Sequence, residues 1–285
     1  MNFLGTEMTI RMAFFFAAFL ILAFWEQKSQ RIPLTQNKNE RWLNHFGLGF
    51  LGFILIRAFL PLVGVSIAWF AAVHNLGLFN QVGLPGPVEV ALTVINLDWA
   101  LYYQHRALHA LPLLWKCHRV HHTDLDLDVS TGIRFHFLET VSALLVKALV
   151  IFILGCPPTA VLVYEVAYMM AVLFNHSNIK LNPGIEKVLR AFIVTQDMHR
   201  IHHSVARLET NSDFGFIFSW WDRFFGTYRS EPAAGYDKMT IGLENYRDPV
   251  DSQLPNLLLQ PFMDPGQNIS MENFTSKETA YTQGK

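Results

Sequence analysis

The chain has 285 residues, is 51% hydrophobic and only 16% charged, and carries a net charge of −1. A soluble globular domain carries about a quarter charged residues, so this deficit, with 24 Phe, excludes an ordinary soluble domain and points to a membrane protein. A balance this close to neutral gives no footprint for nucleic acid.

The first apolar run, 8–25, has no small-residue cleavage site before Glu26 and reads as a retained helix, not a cleaved signal. A linker over 26–42 follows, holding Lys28, Arg31, Lys38 and Arg41, and the positive-inside rule places it in the cytoplasm. The run 43–80 is long enough for two passes, with Pro61 and Gly64 near its middle. Runs at 87–104, 140–155 and 157–174 come next, each set against the ~20 apolar residues that span a bilayer. The last two are separated by Cys156-Pro157-Pro158, which ends one helix and starts another, giving a tight transmembrane hairpin.

Parity constrains the topology. If 43–80 crosses once and its remainder lies along the far interface, 87–104 returns to the cytoplasm, and the hairpin goes out and comes back. All histidine-rich segments then share one compartment. Arg57, Lys147 and Glu165 lie inside apolar stretches, where ionisable groups face the bundle interior. Lys147 and Glu165 are nearly equidistant from the Cys156 turn and are expected to pair; the alternative is a lone Lys147 reaching toward the interface. Beyond 203 the chain is more polar, and its tail reads as a cap against the membrane face, with the last twenty residues expected to be disordered. The expected fold is an all-α integral membrane protein: a transmembrane helix bundle with a cytoplasmic, histidine-rich di-metal cap. Its expected parts are N-terminal transmembrane helices (1–84), a catalytic domain (85–230) and a C-terminal tail (231–285).

Eight of the twelve histidines fall in three boxes: His105-Arg-Ala-Leu-His109, His118-Arg-Val-His121-His122 and His199-Arg-Ile-His202-His203. Spacings of i, i+3 and i+4 place them on one helix face. Three such faces can converge on metal, and imidazole suits iron, zinc, copper and nickel. His136 and His176 bring the candidate ligands to ten, while His45 and His74 are assigned no role. Ten exceed the roughly four that fill a zinc site, so two metals are the natural count. Two metals suit dioxygen chemistry. Iron is chosen over zinc for a membrane setting and hydrocarbon substrates, although affinity order alone does not select it and zinc can substitute.

Ligating imidazoles need their second nitrogen held. Asp98, Glu139, Asn175, Asn178 and Asp197 are candidates for that role by spacing, as is Asp124 after the second box. Asp98 is the strongest, because an unpaired carboxylate is costly inside an apolar run. For each, a solvated helix cap is the alternative. Arg106, Arg119 and Arg200 point off the histidine face, toward lipid phosphates or carboxylates of the cap. Cys117, beside His118, and Cys156 form no C-x-x-C or zinc-ribbon spacing, and both read as small buried thiols.

These boxes, with Arg134-Phe135-His136, His176 with Asn178, and Trp221-Asp222-Arg223-Phe224-Phe225-Gly226-Thr227-Tyr228, resemble the fatty acid hydroxylase/sterol desaturase superfamily of membrane di-iron enzymes. Ile241-Gly242-Leu243, Arg247-Asp248-Pro249, Leu257-Leu258-Leu259 and Pro261-Phe262 resemble the tail of bacterial members, so the likeness covers roughly 85–262. One departure is Phe137, where some members carry Pro. The resemblance implies two irons on the ten histidines, dioxygen as co-substrate, and hydroxylation or desaturation of a lipid C–H bond. It also implies a bacterial inner membrane setting. Electrons would come from a separate ferredoxin- or cytochrome-type protein, since no cytochrome, flavin or iron–sulfur motif is present. Two other classes compete. A histidine-rich metal transporter needs ionisable groups along a path across the membrane, whereas these histidines sit at helix ends on one side. A zinc-dependent membrane hydrolase needs a general-base carboxylate like that of H-E-x-x-H, and no box contains one.

Overall fold

Apolar runs uninterrupted by proline become the long helices. A computed structural model describes residues 3–59 and 64–264. Helix α1 spans Phe3–Lys28, α2 Lys38–Phe59, α3 Gly64–Val73, α4 Leu78–Val82 and α5 Gly86–Ala110. Then come α6 (Pro112–His122), a 3-10 turn (Val129–Ile133), α7 (Phe137–Leu154) and α8 (Pro158–His176). Short helices α9 (Pro183–Leu189), α10 (Gln196–His202), α11 (Arg207–Thr210), α12 (Trp220–Phe224) and α13 (Leu254–Leu259) complete the chain. Extended pairing among the described residues is limited to isolated bridges, so the architecture is all-α.

Helices α1, α7 and α8 are each long and apolar enough to cross a membrane. Helix α7 turns Leu145, Leu149, Phe152 and Ile153 outward, an i, i+4, i+7, i+8 stripe that suits lipid. The run 43–80 is divided between α2 and the pair α3–α4, with 60–63 outside the described residues. Helix α2 carries Lys38, Glu40, Arg41 and Arg57 and, among the described residues, is not a candidate span. Its successor pair α3–α4 instead joins α5 across a 95° bend, as a broken span or a re-entrant loop. Pro61 lies outside the described residues.

The hairpin is present. Gly155 closes α7 in the left-handed region (φ 66°), and Pro157 and Pro158 open α8. Gly77 (φ 89°) packs directly on it, where a Cβ would stand 2.2 Å from the Gly155 nitrogen, so no side chain fits. Lys147 Nζ meets Glu165 Oε1 at 3.2 Å, as expected, and Arg11 donates to Glu165 Oε2 (2.8 Å) and to Glu7 (2.7 Å). The pair is therefore part of a cluster tying α1 to the hairpin.

The main core joins α3, α5, α7 and α8 through Val65, Ala68, Leu97, Leu101, Ile151, Cys156, Val161 and Tyr164. Helices on both sides of residue 84 thus share one core. A second cluster seats Phe19, Leu22 and Ala23 of α1 on Val129, Leu173 and Ile179. The tail folds back so that Leu257 of α13 packs with Leu48 of α2 and Val120 of α6. The final residues, expected to be disordered, lie outside the described residues.

Candidate metal centre

The histidines converge because helix ends converge. Helix α5 ends at Ala110, extended Leu111 turns the chain, and Pro112 opens α6 at once; proline is tolerated in a helix's first turn. Helix α8 ends at His176, and Thr195 caps α10, its hydroxyl accepting from the Met198 N–H. Nine histidines form two groups: His105, His109, His118, His122 and His202 in one, and His121, His176, His199 and His203 in the other. Within each group the candidate ligand atoms lie within 4.8 Å of one another.

The second and third boxes exchange residues reciprocally. The i, i+4 pair His118/His122 serves the first group while His121 crosses to the second; His199/His203 serves the second while His202 crosses to the first. Where the groups adjoin, His122 stacks on His203 (4.5 Å between ring centres) and His199 on His202 (5.1 Å).

Ring orientation is set from behind. His105 Nδ1 lies 2.8 Å from the Phe214 carbonyl, His202 Nδ1 2.8 Å from that of Ser212, and His176 Nδ1 2.7 Å from that of Val172. His121 Nδ1 faces the Arg134 carbonyl at 3.3 Å, and His118 Nδ1 faces Glu139 Oε1 at 2.7 Å. A ring nitrogen facing an acceptor carries the proton, so in a neutral ring the other nitrogen is a bare lone pair. Yet His105 Nε2 stands 3.0 Å from His118 Nε2, and His121 Nε2 stands 2.9 Å from His176 Nε2. Each contact sets lone pair against lone pair, which a shared cation resolves. Two ligands at right angles on a metal with ~2.1 Å bonds stand about 3.0 Å apart, so the spacing fits. Burial pushes His118 down to about 3 and His121, His122, His199, His202 and His203 well below the usual imidazole range. Neutral imidazole is the form that ligates.

The tenth candidate, His136, is left out. It caps α7, accepting from the Leu138 N–H at 3.3 Å, and its Nε2 lies 3.3 Å from the Leu258 carbonyl. Of the residues expected behind the ligands, only Glu139 touches a ligand ring. Asp98 instead accepts from the Ile217 and Phe218 amides (3.1 Å each) and Trp221 Nε1 (2.9 Å). It anchors the segment whose Phe216 stacks on His105 at 4.9 Å. Asn175 donates to the Phe216 carbonyl, Asn178 clamps Ile32 through its amide and carbonyl, and Asp197 pairs with Arg31. Asp124 pairs with Arg41 at 2.8 Å.

Arg119 donates to the Gln260 and Met263 carbonyls, Arg106 lies over Tyr102 and Tyr103, and Arg200 donates to Asn178 Oδ1. None meets a carboxylate within ion-pair distance among the described residues. Cys156 is buried in the core, and Cys117 is half-buried with its thiol toward the Leu113 carbonyl.

Several contributors escaped the sequence reading. The carbonyls of Val172, Ser212 and Phe214 carry no residue-type signal. Asp222 holds Phe214 and Gly215 by their amides (2.7 and 2.9 Å) and lies inside a segment already noted for its likeness. Arg134 is fully buried and donates to the Val120 and His121 carbonyls at the end of α6. An arginine next to Phe135, whose ring stacks on His121 at 4.3 Å, was the available clue.

Residues 90–227 match the fatty acid hydroxylase family. An ornithine lipid hydroxylase from Rhizobium tropici is 29% identical over 52% of this chain and 44% of its own length. Human alkylglycerol monooxygenase is 26% identical over 65% of this chain and 40% of its own. Mouse cholesterol 25-hydroxylase is 23% identical over 50% of this chain and 48% of its own. The matched region spans less than half the length of each of these relatives. No solved structure gives a significant match. The three histidine boxes all fall, in order, within residues 90–227, the part of the chain that is similar to the fatty acid hydroxylase family.

Proposed function

We propose that this chain is a membrane-bound di-iron oxygenase that hydroxylates a C–H bond of a membrane lipid. The observation that carries the reading is the pair of contacts in which bare imidazole nitrogens face each other at 2.9 and 3.0 Å. The proposed ligands are the nine grouped histidines, with His136 omitted. When bound, two irons would supply dioxygen activation with electrons from a separate ferredoxin- or cytochrome-type donor.

The protein's own part is orientation and exclusion of water. Glu139 and three backbone carbonyls hold His118, His105, His202 and His176 with Nε2 turned inward. Phe216, stacked on His105 and 5.1 Å from Tyr168, gives an apolar wall on the membrane side. Hydroxylation is favoured over desaturation because the relatives are named as hydroxylases and a monooxygenase. The zinc-hydrolase reading lacks its base: the carboxylate touching a ligand ring, Glu139, is spent on the Nδ1 side of His118. The proposed setting is a bacterial inner membrane with the site facing the cytoplasm. It is supported by the basic linker, whose Arg31 and Arg41 reach Asp197 and Asp124 beside the boxes.

The test is metal content and Mössbauer spectra of detergent-purified protein grown with iron-57, followed by a lipid screen with reductant and isotopically labelled dioxygen. Two coupled irons per chain and label in a lipid hydroxyl are expected. One metal or none breaks the paired-site reading. Two irons without oxygen transfer to any lipid breaks the oxygenase reading.

A further inference from the structure

Arg200 lies in the third box, but its guanidinium leaves the histidine face. It is 3% exposed. Its NH2 donates to Asn178 Oδ1 at 2.8 Å, while its buried Nε has no partner among the described residues. None of the carboxylates around it bonds to it: Asp197 pairs with Arg31, Asp126 accepts from the Thr35 and Gln36 amides and the Thr35 hydroxyl, and Glu26 Oε1 accepts from the Val129 and Asn178 amides while its Oε2 has no hydrogen-bond partner among the described residues. A buried guanidinium held by one amide oxygen is short of a counter-charge, which is unfavourable unless one is supplied.

Arg200 lines a cavity of about 410 Å³ between the 32–36 linker, the 125–127 loop and the 239–241 segment. Arg247 also lines it, exposed and braced by its NH1 on the Ile241 carbonyl at 2.6 Å. Asp126 also lines the cavity, its carboxylate turned to the Thr35 and Gln36 amides.

We propose that this cavity binds an oxyanion of the phosphate class between Arg200 and Arg247. Guanidinium groups present forked donors matched to phosphate and carboxylate oxygens. The cavity lies behind the second histidine group, since Arg200 follows His199 directly and Gly242, next to lining residue Ile241, donates to the His203 carbonyl at 3.1 Å. The site stands whether or not the chain is an oxygenase, because it requires no metal.

Two arms separate a free phosphate from a lipid headgroup, both with the full chain in nanodiscs. In phosphatidylcholine discs, inorganic phosphate is titrated calorimetrically. In phosphate-free buffer, unfolding temperatures are compared between phosphatidylcholine and phosphatidic acid discs. Saturable phosphate binding, weakened about tenfold or more in Arg247→Gln, supports a free-anion site. A higher unfolding temperature in phosphatidic acid, lost in Arg247→Gln, supports a headgroup site. Arg200→Met should abolish either effect, but it sits among the histidines, so the rim variant Arg247→Gln decides the matter on its own. No effect in either arm, or an equal effect in wild type and Arg247→Gln, overturns the proposal.

Discussion

The two histidine groups draw on the same two boxes, yet they are backed differently. The first has five histidines and a carboxylate: His118 leans on Glu139 at 2.7 Å, and His105 and His202 lean on carbonyls at 2.8 Å. The second has four histidines and backbone support only: His176 leans on its own helix, and His121 reaches the Arg134 carbonyl at 3.3 Å. The Nδ1 atoms of His199 and His203 have no partner among the described residues, against that of His122 alone in the first group. A carboxylate behind an imidazole raises its basicity and locks its orientation. Under the proposed reading, the five-histidine group would hold its metal more firmly, and the four-histidine group, with fewer side chains, would leave more room for reacting species.

The largest effect that can break this picture is loss of a ligand unique to one group. His109→Ala touches only the five-histidine group and His176→Ala only the four-histidine group. Each is expected to reduce turnover to background while leaving about one metal per chain, measured by elemental analysis on membrane-inserted protein. Retained turnover in both would end the shared-site reading. His136→Ala is expected to keep both metals, because its ring is engaged at the Leu258 carbonyl.

Next in size is the carboxylate. Glu139→Gln should weaken metal at the five-histidine group about 10–100-fold, the range for such outer partners. In wild type, chelator should remove the metal of the four-histidine group first, and Glu139→Gln should narrow or reverse that order. Followed by iron-57 Mössbauer during chelation, metal leaving both groups at equal rates in both proteins would remove this asymmetry.

How much of this was legible in the sequence follows from what each device is made of. Ligand spacing is written in residue types, so the boxes could be read directly, as could the hairpin from Cys156-Pro157-Pro158 and the Lys147–Glu165 pair from its symmetric spacing. The crossing of His121 and His202 between groups was not legible, because helix periodicity puts all three histidines of a box on one face without dividing them. Asp98 drew attention for a sound reason, its cost in an apolar run, but that cost is met by two amides and an indole N–H rather than by an imidazole. His136 illustrates the converse: a histidine at the mouth of α7 satisfies a helix end as readily as a metal. Carbonyls behind the rings have no sequence signature at all.

The smallest effect concerns what supports the weaker group. The loop between its His121 and Arg134 is held by Arg41, which reaches Asp124 (2.8 Å), Asp128 (2.7 Å) and the Thr131 hydroxyl (3.2 Å). Trp42 Nε1 also donates to Asp128 Oδ2 at 3.1 Å. Removing one partner of a buried pair costs about 3–5 kcal/mol, so Arg41→Met should destabilise by that order and loosen the four-histidine metal more than the five-histidine one. The pH dependence carries a definite sign. Burial opposes ionisation of Asp128, but the Arg41 guanidinium outweighs it and holds the carboxyl below its usual range. Its contribution is therefore fully present above the unfolded value near ~4 and is lost as pH falls through the lower folded value. In Arg41→Met the opposition from burial is no longer outweighed, the carboxyl rises, and the acid limb of the stability curve moves to higher pH. Trp42 fluorescence against pH in wild type and Arg41→Met measures this. Coincident acid limbs would show that Arg41 does not govern Asp128, and the loop would then owe its shape to the Asp128 cap on the Val129–Ile133 turn, where the carboxylate accepts from the Ser130 N–H at 2.9 Å.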